Sequence, residues 1–401
     1  MRTLTADLLA EQKKENYILE VAVAFWDAND LENHTTYNTA KWFTKTAILS
    51  LYHLESPWDY HAQIVIDNSD GYFTNRDYKG YYLRIGYGAH HSQGEEYSFA
   101  SSMVVVSQQN LSVPGQLLAT FNAVGVINML AYDYALDIPQ YTGIDATWTI
   151  KDIISKMFDQ SLVIFQGSHA YTLSWDSEDS VIDSFCPGAS SDLPFEVVNG
   201  ELRLDKFREL LDYTSCVVRW EEDDEFHIFV PTTTGTSYDY EYNLSGLTPH
   251  KFYVKNYTKR LVIPNQVVVY NQYETVGRYS GSATDSDSYA VRPIPKYVMT
   301  GVQSNNEAEA VAENILAKAR LDCVSGNAQV PMNCGQEIWD YVNIDDSRAD
   351  DEISGTIQQI IRRYDNNGIF TMDIHFGSYD KAIGARIADL ITALSSRQNR
   401  G

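Results

Sequence analysis

The chain has little cysteine: four residues in 401, Cys186, Cys216, Cys323 and Cys334, with no Cys-x-x-Cys spacing among them. That excludes a disulfide frame and a cysteine-based zinc site, and points to free thiols in a protein made in the cytoplasm. Long apolar runs are also missing. No stretch approaches the roughly 20 residues that cross a bilayer. The polar start, with Glu11, Lys13 and Lys14 behind Leu8 and Leu9, does not read as a secretory leader. No HExxH, GxSxG or GxxxxGKS/T motif occurs, so zinc-protease, serine-hydrolase and phosphate-loop chemistry lack their carriers. Gly86-x-Gly88 is strand punctuation, because no helix follows to present its N-terminus to phosphate. Positive charge is scarce: 30 Lys and Arg against 54 Asp and Glu, a net charge of −24. A DNA-wrapping protein needs the opposite balance, since phosphate neutralisation supplies most of that affinity. The acid serves either solubility or a wall that repels a passing polyanion.

What is present is a globular composition, 44% hydrophobic and 21% charged, in a chain long enough for two to four domains. The 28 Tyr and 7 Trp suit β-rich barrels and protein interfaces. The stretch Ala62 to Gly88 sets the pattern. Ile64 and Ile66 alternate with Gln63 and Val65, Asp67-Asn68-Ser69-Asp70-Gly71 is a dense turn, and Tyr81, Leu83, Ile85 and Tyr87 alternate with Tyr82, Arg84 and Gly86. It reads as a hairpin forming half of a small barrel.

Around it, a leader helix is expected over about 3–15. Strands are expected at Ile18–Trp26, Lys41–Leu54, Tyr97–Ser107 and Gln116–Val124, with an exposed polar loop Asp27–Asn38. Near Ala131 the period changes. Thr149 and Asp152 form a capping box for a helix carrying Ile150, Ile153, Ile154, Met157 and Phe158. A second helix, Leu204–Tyr213, is read as capped by Asp205. Cys216–Trp220 and Phe226–Val230 make a hairpin, and Ser174–Pro194 reads as a mobile loop. Strands return at Phe252–Tyr257 and Asn265–Tyr270, followed by a Ser/Asp/Gly-rich loop, Thr275–Ser288. Ala308–Arg320 is an amphipathic helix. Strands at about 325–332, 338–344 and 354–364 lead through the turn Asp365-Asn366-Asn367-Gly368 to Phe370–Phe376. A last helix carries Ile383, Ile387, Leu390, Ile391 and Leu394 on one face.

Several clusters invite chemistry. The Asp67 turn misses the calcium-loop pattern: Gly71 stands fifth and Tyr78 twelfth, where Gly at about position six and Glu at about twelve are needed. The acidic run Asp345–Glu352 offers oxygen ligands for a hard cation, but a charge run of this kind is ordinarily a solvated loop, and Glu221–Glu225 reads the same way. His90 and His91 are adjacent, hence on opposite strand faces, which suits no shared metal. No carboxylate pair is singled out for glycoside hydrolysis. Trp26, Trp42, Trp58, Trp148, Trp175, Trp220 and Trp339 are scattered, which favours core positions over a sugar-stacking platform.

The run IDNSDGYF, followed by a strand ending in Gly86-x-Gly88, resembles the first barrel of tailed-phage hub proteins, which sit where the tail tube meets the tail tip or baseplate. MRTLTADLLAEQKKE is similar to the leader helix of many such sequences. Ile263-Pro264-Asn265-x-Val267, Val330-Pro331-Met332 and Gly335-x-x-Ile338-Trp339-Asp340-x-Val342-x-Ile344 resemble the second barrel. The resemblance implies a mainly β chain: leader helix 1–16, first β-barrel 17–135, α+β middle domain 136–245, second β-barrel with an inserted helix 246–378, and C-terminal helix 379–401. The two barrels are expected to share a strand order over about 17–130 and 250–376.

It further implies a structural virion protein of the tail, assembled in the host cytoplasm. Such a hub is a homotrimeric ring that matches a sixfold tube to a threefold tip. Its partners are a tail tube or distal tail protein on one side and a tip, spike or fibre protein on the other. DNA passes through without specific binding, and the excess acid is expected to face that channel. No enzyme activity, catalytic residue, cofactor, metal or membrane span is implied. A tail-associated glycosidase or peptidoglycan hydrolase, and a receptor-binding β-protein, are the alternatives.

Overall fold

A computed structural model of the chain describes residues 1–14, 17–26, 41–135, 147–158, 171–188, 195, 197, 200–245, 249–271 and 278–377. Helix α1 (Ala6–Glu11) opens it, with Thr5 Oγ1 accepting from the Leu8 amide. Next come β1 (Ile18–Trp26), β2 (Lys41–Thr44), β3 (Ile48–Ser56), β4 (Asp59–Asp67), β5 (Tyr82–His91), β6 (Gly94–Phe99), β7 (Met103–Val113), β8 (Gln116–Gly125) and α2 (Val126–Met129). The middle stretch holds α3 (Ile150–Phe158), β9 (Thr172–Ser177), α4 (Arg203–Leu211), β10 (Val217–Trp220) and β11 (Glu225–Phe229). Then follow β12 (Tyr240–Asn243), β13 (Val254–Lys259), β14 (Gln266–Asn271), β15 (Tyr279–Thr284), α5 (Ser286–Val291), β16 (Pro295–Met299) and α6 (Asn305–Leu321). The last strands are β17 (Val324–Pro331), β18 (Tyr341–Asp346), β19 (Asp351–Asp365) and β20 (Ile369–Phe376).

The protein is mainly β, built on one fourteen-stranded sheet and two three-stranded ones, β10-β11-β9 and β15-β14-β16. Within the large sheet, six strands run β3-β4-β8-β7-β5-β1 and six run β13-β17-β20-β19-β18-β12. Numbered in chain order within each set, both read second, third, sixth, fifth, fourth, first. Both fifth strands carry a bulge at the same place. The β7–β8 register slips between Val105 and Ser107, and the β19–β20 register between Ile357 and Gln359.

The residue before each bulge makes the same two bonds. The Val105 carbonyl accepts from Gly80 and its amide donates to Tyr81, while the Ile357 carbonyl accepts from Trp339 and its amide donates to Asp340. Both donor residues have positive φ, 83° at Gly80 and 70° at Trp339, a conformation easy for glycine and strained for tryptophan. One pair differs in sense: β1–β5 is antiparallel and β12–β18 parallel. Between β13 and β17 the second set also carries an inserted unit, β14–β16 with α5 and α6.

The two sets are joined within one ladder, because β3 pairs antiparallel with β19 from Ser50↔Asp365 to Glu55↔Ile360. The hydrogen-bonded path ends at β13 and at β2, and no closed barrel occurs among the described residues. Their interiors differ in chemistry. Phe25, Phe43, Phe73, Tyr78 and Phe121 stack edge-on inside the first set. Ala328, Val330, Ile344, Ile353, Ile357, Ile360, Met372 and Ile374 fill the second. Each of the larger side chains, the Val, Ile, Met and Phe residues, contributes about 1.5–3 kcal/mol on burial.

Several sequence expectations need correction. Ala62–Gly88 is not a hairpin: β4 pairs with β3 and β8, and β5 with β1, β6 and β7. The intervening segment turns inward instead, where Asn68 Oδ1 holds the Phe73 amide at 2.9 Å and the Phe73 ring plugs the aromatic core. Lys41–Leu54 is two strands broken by a turn in which Ala47 N donates to Thr44 O, and Tyr97–Ser107 is likewise two. The capping box of α3 is present, since Asp152 N donates to Thr149 Oγ1 and Thr149 N to Asp152 Oδ2. Asp205 lies inside the first turn of α4, whose N-cap is Leu202. Thr275–Ser288 is no loop where described, because Tyr279–Thr284 is β15 and Asp285 caps α5. Ser174–Pro194 begins as β9. The Asp27–Asn38 loop and the C-terminal helix lie outside the described residues.

Candidate functional site

The seam between the two strand sets is sealed by charge. Arg362 on β19 is fully buried, donating one guanidinium nitrogen to Glu55 Oε2 on β3 and another to the Gln336 carbonyl. Burial pushes the Glu55 carboxyl up, but Arg362, His53 and Arg2 outweigh it and hold it below its ordinary value. His53 Nδ1 lies 2.9 Å from the Tyr87 hydroxyl. Burial lowers its pKa to about 4 against the pull of Glu55, so the ring is neutral at neutral pH. Removing one partner of such a buried ion pair costs about 3–5 kcal/mol, because the other charge is left stranded.

A second polar knot adjoins the first. Arg219 on β10 donates to the Ile338 carbonyl at 3.1 Å and approaches Asp340 at 3.5 Å, and it also pairs with Glu221. The Met1 ammonium stands 2.6 Å from Asp340 Oδ1, while Asp340 Oδ2 accepts from the Glu337 amide at 2.8 Å. Leader, middle stretch and second strand set therefore meet here. Burial raises the Asp340 pKa to about 6, against the lowering effect of the Met1 ammonium. A raised carboxyl is what an acid catalyst needs. Asp340 is only 2% exposed, however, so no polymer substrate reaches it.

The clusters weighed from sequence resolve as follows. Asp67 and Asp70 bind the amides of Ser69 and Tyr72, which makes local turns. In the Asp345–Glu352 run, Asp346 holds Arg348 through two carboxylate oxygens and Asp351 pairs with Lys255 and Tyr257, so the acids are met by side chains of this chain. In the Glu221–Glu225 run, Asp224 bonds Arg84 and Ser102, tying the turn to β5 and to the residue just before β7. Trp26, Trp220 and Trp339 are buried, and Trp42 and Trp58 pack half-buried against the core. Trp148 and Trp175 line a cleft of about 770 Å³ between α3 and β9. Among the described residues two groups of three side chains have metal-ligand geometry, Glu20/His90/Glu95 and Asp223/Glu225/His227, and neither was singled out from sequence.

Among the strand edges left open in the large sheet are those of β7 and β13. Beyond Val105, β7 has β8 on one side and no strand on the other among the described residues. β13 has β17 on one side only. Val106, Leu111 and Val113 near the first edge, and Tyr253 and Val254 at the second, are exposed. An unpaired edge is a template for a further strand.

Two linked, mainly antiparallel strand sets of one plan, with small α/β units inserted between and within them, define the fold class, and it is that of phage tail proteins. A tail protein from Neisseria meningitidis MC58 superposes with a TM-score of 0.61 at 11% identity, over 90% of this chain and 97% of that one. The 43 kDa tail protein of prophage MuSo2 from Shewanella oneidensis gives 0.53 at 12%, over 89% and 98%. Prophage tail protein gp18 from Listeria monocytogenes EGD-e gives 0.53 at 13%, over 94% and 99%. No protein-family model and no curated protein matches the chain. No helix among the described residues is long and apolar enough to cross a membrane.

Proposed function

We propose that this chain is a structural hub subunit of a phage tail or tail-like particle, a homotrimer whose ring joins a tail tube or distal tail protein to a tip, spike or fibre protein. The fold shared with three tail proteins supports the general reading. The observation that carries the finer one is the repeat, which makes one junction inside the chain and leaves its counterpart open. Within the chain, β3 pairs with the second half of β19. By the shared plan, β13 corresponds to β3, and the second half of β7 corresponds to that of β19. Gln108–Val113 of one copy then pairs with Val254–Lys259 of the next. This contact is heterologous, and three copies close it into a ring of six similar units.

On this reading residues 17–135 and 246–378 wrap as two barrel-like domains, the second joined by β12 (Tyr240–Asn243), with the rest of the middle domain 136–245 outside the ring. DNA passes through the lumen, which the excess acid lines. The chain carries out no reaction. The test is the solution mass and a low-resolution image of the purified protein. A threefold ring is expected. A stable monomer or a twofold dimer at assembly concentrations removes the hub reading. Turnover of peptidoglycan or capsule polysaccharide, lost on replacing a particular Asp/Glu pair, promotes the hydrolase instead.

A further inference from the structure

Strands β1, β5 and β6 bring three ligand-type side chains to one face. Glu20 stands opposite Gly88, and His90 stands opposite both Ile18 and Glu95. Residues two apart along a strand share a face, so Glu20, His90 and Glu95 lie together. One ligand atom from each, a ring nitrogen and two carboxylate oxygens, falls within 4.8 Å of the others. Gly88 makes this possible. A Cβ there would sit 1.9 Å from the Glu96 carbonyl oxygen, so only glycine lets β6 lie this close.

Glu20 itself points to a missing ligand. It is 2% exposed, and its Oε1 takes the Lys45 ammonium, which also donates to the Leu19 carbonyl at 3.0 Å. Its Oε2 is buried with no hydrogen-bond partner. An unsatisfied buried acceptor of this kind costs about 1–3 kcal/mol, and more when charged. Glu95 is held from behind, since the Tyr97 hydroxyl donates to its Oε2 at 2.8 Å. Outer donors that orient carboxylates in this way are what a metal site needs around its ligands.

We propose that Glu20, His90 and Glu95 bind a single Zn²⁺-class cation that clips the β5–β6 hairpin to β1. This inference is independent of the hub reading. One imidazole and two carboxylates suit a tetrahedral zinc site with water in the fourth position. They do not suit Ca²⁺, which takes about 6–8 oxygens. The other triad has no free imidazole nitrogen. Both ring nitrogens of His227 already face carboxylates, Asp176 at 2.7 Å and Asp223 at 2.9 Å. Against the lowering effect of burial, these raise its pKa to about 9, so the ring holds its second proton and offers no lone pair.

The full chain, stripped with EDTA, is titrated with ZnCl₂ by calorimetry, and its melting temperature is followed. Expected are one Zn²⁺ per chain, a rise in melting temperature, and no comparable response to CaCl₂ or MgCl₂. His90 is exposed, so His90→Ala is expected to fold and to weaken binding by at least about a hundredfold, given that even outer-shell partners cost about 10–100-fold. Glu20→Gln is expected to do the same. His91→Ala is the control, because that ring faces Glu96 at 2.9 Å, and its affinity is expected to match that of the parent chain. Co²⁺ in place of Zn²⁺ is expected to give a visible spectrum of tetrahedral nitrogen and oxygen ligation that disappears in His90→Ala. No Zn²⁺ binding by the parent chain, or undiminished binding in His90→Ala, overturns the proposal.

Discussion

The two strand sets follow one plan but end differently at their fifth strands. In β19 the residues after the bulge are covered by β3, and Arg362 is locked there onto Glu55. In β7 the corresponding residues are bare. Counting from the bulge, Asn110 stands where Arg362 stands, and its side chain donates to the Phe73 carbonyl at 3.1 Å and accepts from Gln108 at 3.4 Å, both neutral contacts. Gln358 at one bulge is buried, and Val106 at the other is 47% exposed. A repeat can thus keep its backbone plan while one copy evolves a sealed charge and the other an open edge. On the proposed ring, the first is a junction fixed within the chain and the second is one made between chains.

The comparison breaks most visibly at the β7 edge. The two-residue Pro114-Gly115 loop makes Val113 and Gln116 a hydrogen-bonded pair, so alternation turns the Asn110 and Ser112 amides away from β8. Ser112→Pro removes one outward donor and spares the hairpin. It is expected to abolish self-association, read as a monomer mass by light scattering, with the melting curve little changed. An unchanged trimer would remove the edge from the interface.

Arg362→Met is expected next in size, a loss of about 3–5 kcal/mol in urea unfolding, because Glu55 stays buried without its partner. The matching Asn110→Ala should cost about 1–2 kcal/mol, the worth of its neutral hydrogen bonds. Equal losses at the two positions would mean the edges are not differently used.

Acid should weaken both sets through buried histidines. Burial lowers His53 to about 4 and His250 to about 3. The unfolded chain takes up these protons near pH 6.5. Their stabilisation is therefore full above about 6.5 and is lost as pH falls toward those values. Asp340, raised to about 6, works the other way between roughly 6 and 4, against two histidines. His227, raised to about 9, adds stability only as pH falls to about 6.5, so the urea midpoint is expected to fall between about pH 6.5 and pH 5, and the slope to flatten in His250→Gln. A midpoint that rises over that range contradicts this. Smallest is Thr149→Ala, about 0.5–2 kcal/mol from a lost N-cap outside both sets, with no effect on association.

Local signals were the legible ones. The strand expected at Ile18–Trp26 matches β1 to the residue, and the cap and spacing at Thr149–Phe158 match α3. What sequence hid was partnership. IDNSDGYF reads as a hairpin turn because its dipeptides favour turns, yet β4 pairs with β3 and β8, and β5 with β1, β6 and β7. Thr275–Ser288 reads as a loop because it is rich in small residues, but Gly281 is small for packing: a Cβ there would lie 2.2 Å from the Glu309 amide on α6. The repeat is invisible in composition because one interior is aromatic and the other aliphatic. Among candidate sites, adjacency made His90 and His91 look useless together. Register sets His90 beside carboxylates from two other strands, Glu20 and Glu95, and nothing in a linear reading supplies register.

The β3–β19 ladder has a consequence for how a ring would assemble. At equilibrium the amount of ring closed from six separate units varies with the sixth power of their free concentration, whereas for three tethered pairs it varies with the third. Each tether holds its two units at an effective concentration that free subunits in a cell do not reach. A particle that needs few rings per virion can then complete them from a dilute pool, and a stray single unit, the species most prone to cap a growing arc, is never made.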